Sequence, residues 1–292
     1  MDDKDWQMLL ALHEEKSITK AAGKLFLSQP ALTYRLDQLE KEINTPLFLR
    51  SSRGISFTSA GERLVSCAEK MLQEYSNIKS YVTAHTGLVS GTLRIGSSAV
   101  IAHNLLPSLL KEFHQSYPAV DICLYTGLSN DILEKLQKEV VAIAIIRGDH
   151  PWGEVDILLQ NEPLCIISAE PLPLSELPCI PGISYHTDPT ITYQIDKWWK
   201  ENYDVPPKIL MKVDSVYTCR QLVLAGLGWA IMPTLRLPEH SDGLFVTELK
   251  DTKNELYLRP TRLIYRHAAK KLDAVNAFID FICEKFKQNI HI

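Results

Sequence analysis

Apolar side chains recur every three or four residues through the first part of the chain, which is the spacing of helices with one buried face. The pattern predicts helices over residues 5–16, 18–25 and 29–44. Ser28 is the expected N-cap of the third helix, and Pro30 falls in its first turn, where a missing N–H costs nothing. We therefore expect a small helical core that leaves the start of the third helix exposed.

Two short apolar segments follow, at residues 46–48 and 54–58, and bracket a turn that carries Arg50 and Arg53. They predict a two-stranded wing whose arginines meet phosphate oxygens. From Lys16 to Arg53 there are seven Lys and Arg against three Asp and Glu, a local charge of +4 in a chain whose net charge is −4. A basic patch beside an exposed helix start is typical of major-groove recognition, and a helical hairpin with solvated charges is the alternative.

We expect Gln29, Thr33 and Arg35 to read bases while Arg50 and Arg53 hold phosphates, because base edges carry the sequence information and phosphates do not. The full set of expected DNA-contacting residues is Ser28, Gln29, Pro30, Thr33, Tyr34, Arg35, Gln38, Arg50 and Arg53.

A heptad seam of apolar residues runs along a predicted helix from residue 58 to about residue 85, with Ser59 and Glu62 as its capping box. A second copy of the same helix is the simplest partner for such a seam, and packing along the chain's own C-terminal part is the alternative. The seam consists of Leu64, Ala68, Met71, Tyr75, Ile78 and Val82. Gly87, Ser90 and Gly91 predict a hinge after it.

From residue 92 onward the pattern alternates between strands and helices, which indicates α/β lobes. The strand at 140–146 is apolar throughout, as buried parallel strands are. The other predicted strands are 93–96, 120–125, 164–168, 209–213, 229–232, 245–249 and 263–265, and the helices are 102–116, 131–139, 193–203, 216–225 and 268–286. We expect two lobes with a cleft between them, with the end of the chain returning to the first sheet.

Ligands in such lobes bind at the carboxyl ends of the strands, where helix N-termini present free N–H groups. Arg147 with several hydroxyls near these ends predicts a site for a carboxylate or another small oxyanion. A plain N-cap is the alternative role for Ser98 and Ser215, and a surface salt bridge is the alternative for Arg147. The expected ligand-binding residues are Ser97, Ser98, Thr126, Arg147, Thr187, Ser215 and Tyr217.

The N-terminal motifs resemble those of the LysR-type transcriptional regulators. The matching residues, in order, are Ala21-Ala22, Leu25, Ser28-Gln29-Pro30-Ala31-Leu32-Thr33, Leu39-Glu40, Pro46-Leu47-Phe48, Arg50, Arg53 and Thr58-Ser59-Ala60-Gly61. Tyr34-Arg35 departs from the usual arginine followed by a polar residue, and Asn44 replaces a common glycine. Asn tolerates the left-handed C-cap conformation, so this second departure is mild.

The resemblance implies an N-terminal all-α winged helix-turn-helix with a long linker helix, followed by a bilobal α/β effector domain of the periplasmic-binding-protein type (type II). The expected domains are 1–58, the linker and hinge at 59–91, and the effector domain at 92–292, with lobe I at about 92–161 and 267–292 and lobe II at about 162–266. The partners it implies are promoter DNA with a pseudo-palindromic site, a small-molecule effector, RNA polymerase, and a second copy of the chain in a dimer or dimer of dimers. The anionic character expected of the effector comes from Arg147 and the hydroxyls near it.

Composition and missing motifs narrow the classes of function. The 292 residues are 46% hydrophobic and 23% charged, which suits globular units, and no apolar run approaches the ~18–20 residues of a membrane span. The start is acidic where a signal peptide is basic, so we expect a cytoplasmic protein. The six cysteines show no zinc spacing, although two could form a redox pair. Hydrolase and nucleotide-binding motifs are absent, so we expect no enzyme and no cofactor. A solute-binding module without functional DNA binding, or an enzyme acting on the cleft ligand, are the alternatives.

Overall fold

A computed structural model describes residues 1–51, 54–83, 88–233 and 243–288. The chain divides into two compact units, Met1–Thr92 and Leu93–Ile292. The elements of the first unit are α1 (Asp3–Glu15), α2 (Ile18–Lys24), α3 (Gln29–Ile43), β1 (Phe48–Ser51), β2 (Gly54–Phe57) and α4 (Ser59–Thr83).

The ends of α3 confirm the predicted caps. The Ser28 hydroxyl accepts a hydrogen bond from the Ala31 N–H at 3.3 Å, and Asn44 ends the helix in the left-handed conformation with φ 53°. Leu32, Leu36 and Leu39 have almost no exposed surface. They anchor α3 in the helical core, and this leaves its opposite face to solvent.

The cap of α4 differs from the prediction by one residue. The Gly61 N–H donates to the hydroxyl of Thr58, not Ser59, and the Thr58 hydroxyl donates to the Pro46 carbonyl at 2.9 Å. Glu62 contacts His13 Nε2 on α1 at 3.1 Å, so it does not complete a capping box with Ser59. Thr58 therefore joins the helix start to the segment before the wing.

The second unit is an α/β structure. Its strands are β3 (Gly91–Ser98), β4 (Val120–Gly127), β5 (Ile143–Arg147), β6 (Val155–Ser168), β7 (Gly182–Tyr185), β8 (Ile209–Val213), β9 (Ala230–Pro233), β10 (Phe245–Glu248) and β11 (Leu258–Tyr265). Its helices are α5 (Ala99–Asn104), α6 (Leu106–Ser116), α7 (Ser129–Gln137), α8 (Pro189–Asn202), α9 (Val216–Leu224) and α10 (Asp273–Gln288).

The long strand β6 belongs to both lobes. One sheet has the order β10-β6-β11-β5-β3-β4, and β9 pairs with β6 as well. The first part of β6 lies beside β11, and its last residues lie between β9 and β10. β11 pairs with β5 from Thr261 to Tyr265. The chain therefore returns to the first sheet within β11, and the expected lobe II boundary at 266 is too late.

Two predicted helices are broken in the structure. Residues 102–116 do not form one helix, because Pro107 cannot donate to a preceding carbonyl, and α5 ends at Asn104 before α6 begins at Leu106. Residues 268–286 split into a 3₁₀ turn, His267–Lys271, and α10, with Leu272 extended between them. The predicted strand 140–146 begins only at Ile143, since the residues before it close the turn after α7.

The second lobe packs around β7, β8 and β9. The rings of Trp199 and Trp229 stack with centroids 5.4 Å apart and planes 7° apart. Gly182 makes this possible, because a Cβ there would lie 2.8 Å from the Trp229 ring. A Cβ at Gly228, where φ is 151°, would lie even closer to the Pro181 carbonyl oxygen.

Candidate functional site

The first predicted surface is the start of α3. Four of its residues are exposed, namely Ser28, Gln29, Pro30 and Tyr34, and two others, Thr33 and Gln38, are half-buried. Gln29 Oε1 accepts from the Thr19 hydroxyl at 3.4 Å, a long bond that leaves its amide N–H groups for another partner. Hydroxyl, amide and phenol groups on one exposed helix end are the groups that hydrogen-bond base edges.

Arg35 has a structural partner that the sequence did not reveal. Its Nε and Nη2 donate to the two carboxylate oxygens of Asp5, each at 2.6 Å, and Asp5 is completely buried. Burial alone would raise the pKa of Asp5, but the bonds from Arg35 and from the Asp2 backbone outweigh it and lower that pKa. The expectation that Arg35 reads bases is corrected: its fork ties α3 to the N-terminus of α1.

The wing forms as an antiparallel hairpin in which Arg50 pairs with Ile55. The Arg50 guanidinium forms an ion pair with Asp37 on α3, and both side chains are nearly half exposed. Glu40 accepts the backbone N–H groups of Leu47 and Phe48 at 2.6 and 3.0 Å, which fixes the wing against α3. Arg53 lies outside the described residues.

The predicted seam on α4 divides into two parts. Ala68 is fully buried and Leu64 packs against the helical core, so these two residues serve their own unit and the seam prediction is wrong for Ala68. Met71, Tyr75 and Ile78 are exposed. The side chain of Val82 lies outside the described part of the chain. An apolar row thus remains exposed along the second half of the helix.

In the second unit, Arg147 stands at the carboxyl end of β5, beside the end of β3. Arg147 is buried and its guanidinium forms an ion pair with Glu162 on β6, which is equally buried. Burial raises the pKa of Glu162, and the charge of Arg147 opposes that rise. The alternative of a surface salt bridge is wrong, because this pair is in the interior.

A second buried ion pair lies next to the first. Arg259 donates to Asp188 Oδ2 at 2.7 Å and to the Thr190 hydroxyl at 2.6 Å. Asp188 Oδ1 accepts the N–H of Ser129, whose hydroxyl accepts the N–H of Arg147 at 3.2 Å. Burial lowers the pKa of Arg259 to about 10, with Asp188 opposing, so the guanidinium is charged at neutral pH. The network joins α7 of the first lobe to the start of α8 in the second.

Two predicted residues of the second lobe, Thr187 and Tyr217, come close to this network. The hydroxyl of Tyr185 is buried near Thr187 and the two arginines. That burial raises the pKa of Tyr185, and the charges of Arg147 and Arg259 and the side chain of Thr187 oppose the rise. The Tyr217 hydroxyl accepts from Asn104 Nδ2 at 3.1 Å, across the cleft from α9 to α5. The lobes therefore touch beside the buried charges.

The other predicted ligand-binding residues have different environments. Ser215 caps α9, accepting from the Thr218 N–H at 3.5 Å. Ser98 stands at the N-cap of α5 without capping it, so the alternative role of a plain N-cap is wrong for Ser98. Ser97 is buried and its hydroxyl donates to the Ser98 carbonyl. Thr126 is exposed on β4, where the structure gives it no side-chain partner among the described residues.

Several buried polar atoms around the ion pairs have no hydrogen-bond partner within the described residues. They are Ser98 Oγ, Arg147 Nε, Arg259 Nε and Thr261 Oγ1. Buried polar atoms are normally paired, so these donors and acceptors indicate a place for a bound molecule or water. A pocket of about 560 Å³ lies in the second lobe and shares Tyr185 and Thr187 with this region.

The charges of the cluster remove the argument for an anion. Arg147 and Arg259 are each paired with a buried carboxylate, so the two ion pairs sum to no net charge. The sequence prediction missed Glu162, Asp188 and Arg259. A weak signal was present for Asp188, which precedes a proline.

Among the described residues, the His, Cys, Asp and Glu side chains form no group that could hold a metal ion. The six cysteines are free. Burial raises the pKa of Cys219 to about 12, which makes that thiol a poor nucleophile. Among the same residues, every helix is too short or too polar to cross a membrane.

A winged helix-turn-helix followed by a two-lobed α/β unit defines a DNA-binding transcriptional regulator with a ligand-binding domain. Residues 4–62 match the family model for bacterial regulatory helix-turn-helix proteins of the lysR family, and residues 86–287 match the LysR substrate binding domain. The chain belongs to the LysR family of transcriptional regulators, which confirms the resemblance.

Similar proteins agree with this assignment. The chain is 41% identical over 282 residues to YraN of Bacillus subtilis (strain 168), described as an uncharacterized HTH-type transcriptional regulator, with 97% of each chain covered. It is 34% identical over 297 residues to YkuM of the same strain, with 99% of each covered. A full-length structure of CbnR with its target DNA matches with a TM-score of 0.69 at 20% identity, covering 97% of this chain and 99% of that one.

Proposed function

We propose that this LysR-type regulator binds a pseudo-palindromic promoter site as a dimer or dimer of dimers, and that a small molecule in the cleft changes this binding. The observation that carries the proposal is the placement of α3. Three buried leucines anchor this helix, and Gln29, Thr33 and Tyr34 lie at its start. Its work takes place in the cytoplasm, where promoter DNA and RNA polymerase are its partners.

The base contacts come from Ser28, Gln29, Pro30, Thr33, Tyr34 and Gln38. Arg35 supports these contacts indirectly, because its Nε and Nη2 donate to Asp5 and so hold α3 against α1. Arg50 is suited to a phosphate. Its ion pair with Asp37 is half exposed, and such pairs contribute little, so a phosphate can replace the carboxylate. Arg53 on the same turn is proposed for the same role from its sequence position.

Self-association uses the exposed apolar row of α4. Met71, Tyr75 and Ile78 lie on one face at helical spacing and are 55%, 47% and 59% exposed. A surface helix with such a row is stabilised when a second apolar face covers it. We extend the row to Val82 from its spacing in the sequence.

The effector binds between the lobes and is not a simple anion. Ser98 Oγ, Arg147 Nε and Thr261 Oγ1 offer hydrogen bonds without surplus charge, since Glu162 neutralises Arg147. We propose a neutral or zwitterionic ligand that donates and accepts hydrogen bonds here. Its apolar part faces Tyr185 and Thr187, and the protein binds it without chemical change.

Native mass spectrometry of the full-length protein, followed by calorimetry with the co-purified molecule, tests this site. Ser98→Ala should weaken binding about five- to tenfold, as expected for one lost hydrogen bond in a desolvated cleft. Ser116→Ala is the matched control, because that hydroxyl is exposed at the end of α6 and donates to the Glu112 carbonyl of its own helix at 3.2 Å, and it should change little. Equal affinity of parent and Ser98→Ala, or recovery of a chemically altered ligand, contradicts the proposal.

A further inference from the structure

Phe26 is the most exposed large hydrophobic residue in the described part of the chain. Its relative exposure is 98%, so its ring contacts essentially nothing in its own unit. Leu27 beside it is also about half exposed, at 49%. The ring of Phe26 therefore contributes essentially nothing to the helical core, and Leu27 contributes only part of its surface.

The backbone at Phe26 is also unfavourable for this residue. Phe26 lies after the end of α2 in the left-handed conformation, with φ 56°. The N–H of Phe26 donates to the Gly23 carbonyl and that of Leu27 to the Ala22 carbonyl, the pair of bonds that forms a Schellman motif. Glycine is preferred at this position, and bulky residues are rare in the left-handed region.

Three other turns in the described part of the chain use the same pair of bonds. After α3 the N–H groups of Asn44 and Thr45 donate to Lys41 and Glu40, and Asn44 has φ 53°. After α7 the left-handed residue is Glu139, with φ 60°, and after α9 it is Gly226, with φ 77°. Asn44 and Glu139 are polar and Gly226 has no side chain, as suits an exposed turn. Phe26 alone among these four turns combines the strained backbone with an exposed aromatic ring.

The position of Phe26 suggests what covers it. It is two residues before Ser28, the N-cap of α3, and three before Gln29, so it adjoins the surface proposed to enter the major groove. In that groove, the apolar group that base pairs present is the 5-methyl group of thymine. A phenyl ring has no conventional hydrogen-bonding group, so in that groove such an apolar partner suits it best.

We infer that Phe26 is a DNA-contacting residue whose ring packs against thymine 5-methyl groups at the edge of the major groove. The inference rests on DNA binding by α3. It adds to the polar contacts of that helix an apolar contact that favours A·T pairs next to them. The strained, exposed ring thus serves recognition and not folding.

The test uses full-length protein and a DNA site selected from a random-sequence pool. Phe26→Gly should weaken binding about tenfold, the effect of one good base contact, while leaving the urea midpoint of unfolding unchanged or higher, because glycine relieves the backbone. Asn44→Gly is the matched control, with the same turn and the same change, and should keep full DNA affinity. Phe26→Asn, which tolerates the turn but keeps a side chain, should lose as much affinity as Phe26→Gly.

Replacing single thymines of the selected site by deoxyuridine identifies the partner. Loss of one methyl contact should weaken DNA binding by the parent about fourfold at one or two thymine positions. The same replacements should not weaken DNA binding by Phe26→Gly any further. If the parent binds specifically but Phe26→Gly binds equally well, the inference is wrong. Losses on deoxyuridine that are the same in parent and variant overturn the thymine contact. Absence of any specific binding by the parent instead refutes DNA recognition by α3.

Discussion

Asp188 holds the buried charge of Arg259, so its neutralisation is a direct test of the network that joins the two lobes. Arg259 is 1% exposed, and Asp188 accepts both its Nη2–H at 2.7 Å and the N–H of Ser129 at 3.2 Å. Asp188→Asn keeps the size of the side chain but leaves the guanidinium without its countercharge and places an amide N–H beside another donor. Breaking a buried pair in this way costs about 3–5 kcal/mol.

Asp149→Asn is the matched control, since Asp149 pairs with Arg262 at 3.1 Å but its side chain is 74% exposed. Exposed pairs contribute about 0–1 kcal/mol, so this variant should unfold almost like the parent. Urea denaturation of the full-length variants, followed by tryptophan fluorescence, measures the difference. Adding Arg259→Met to Asp188→Asn should recover part of the loss, because the uncompensated charge is removed. Equal midpoints for Asp188→Asn and Asp149→Asn would refute the account of the network.

Three further changes test other parts of the structure. Arg35→Ala should lower the stability of the first unit by about 2 kcal/mol, allowing for the exposed guanidinium. The pKa of its partner Asp5 is lowered in the folded state. The pair therefore stabilises the protein fully above about pH 4, and this stabilisation is lost as the pH falls through the folded-state pKa of Asp5. Unfolding measured between pH 2 and pH 7 checks this dependence. Met71→Glu with Ile78→Glu should give a smaller species in sedimentation with weak promoter affinity, whereas an unchanged dimer would place the interface elsewhere. Gly148→Ala should destabilise the protein by about 2 kcal/mol or more, because φ is 95° at this position and the new Cβ would lie 2.7 Å from Arg259 Nη1. Gly153→Ala is its control in the same urea assay, because a Cβ there would have no atom beyond its chain neighbours within 4 Å.

Local patterns predicted the elements that local interactions define. The third helix has its caps and its leucine spacing in one short segment, and β8 has the bounds expected from its alternation. β7 was missed, because four residues do not establish a period. Only the last third of β6 was expected, since its first part alternates between half-buried and exposed positions and has no continuous apolar run.

The ion pairs could not be predicted, because the partners are far apart in the sequence. Sequence position predicts Arg35 as a charge near an exposed surface and Arg147 as a charge at a strand end. Asp5 and Glu162 neutralise them through tertiary contacts that periodicity does not report. The consequence differs between the two sites. Base recognition keeps its other polar groups, whereas the expectation of an anionic effector depended on Arg147 and loses its basis.

Salt-dependent binding to the selected DNA site is the most direct test of the central claim that α3 reads bases and the wing holds phosphates. Fluorescence anisotropy would compare the parent, Thr33→Ala and Arg50→Ala on the selected site and on single-base variants of it. Arg50→Ala should weaken binding to all sequences alike and reduce the slope of log K against log salt by about one. Thr33→Ala should keep the slope and lose discrimination at one position. Equal loss of discrimination in both variants, or a parent without sequence preference, would contradict the claim.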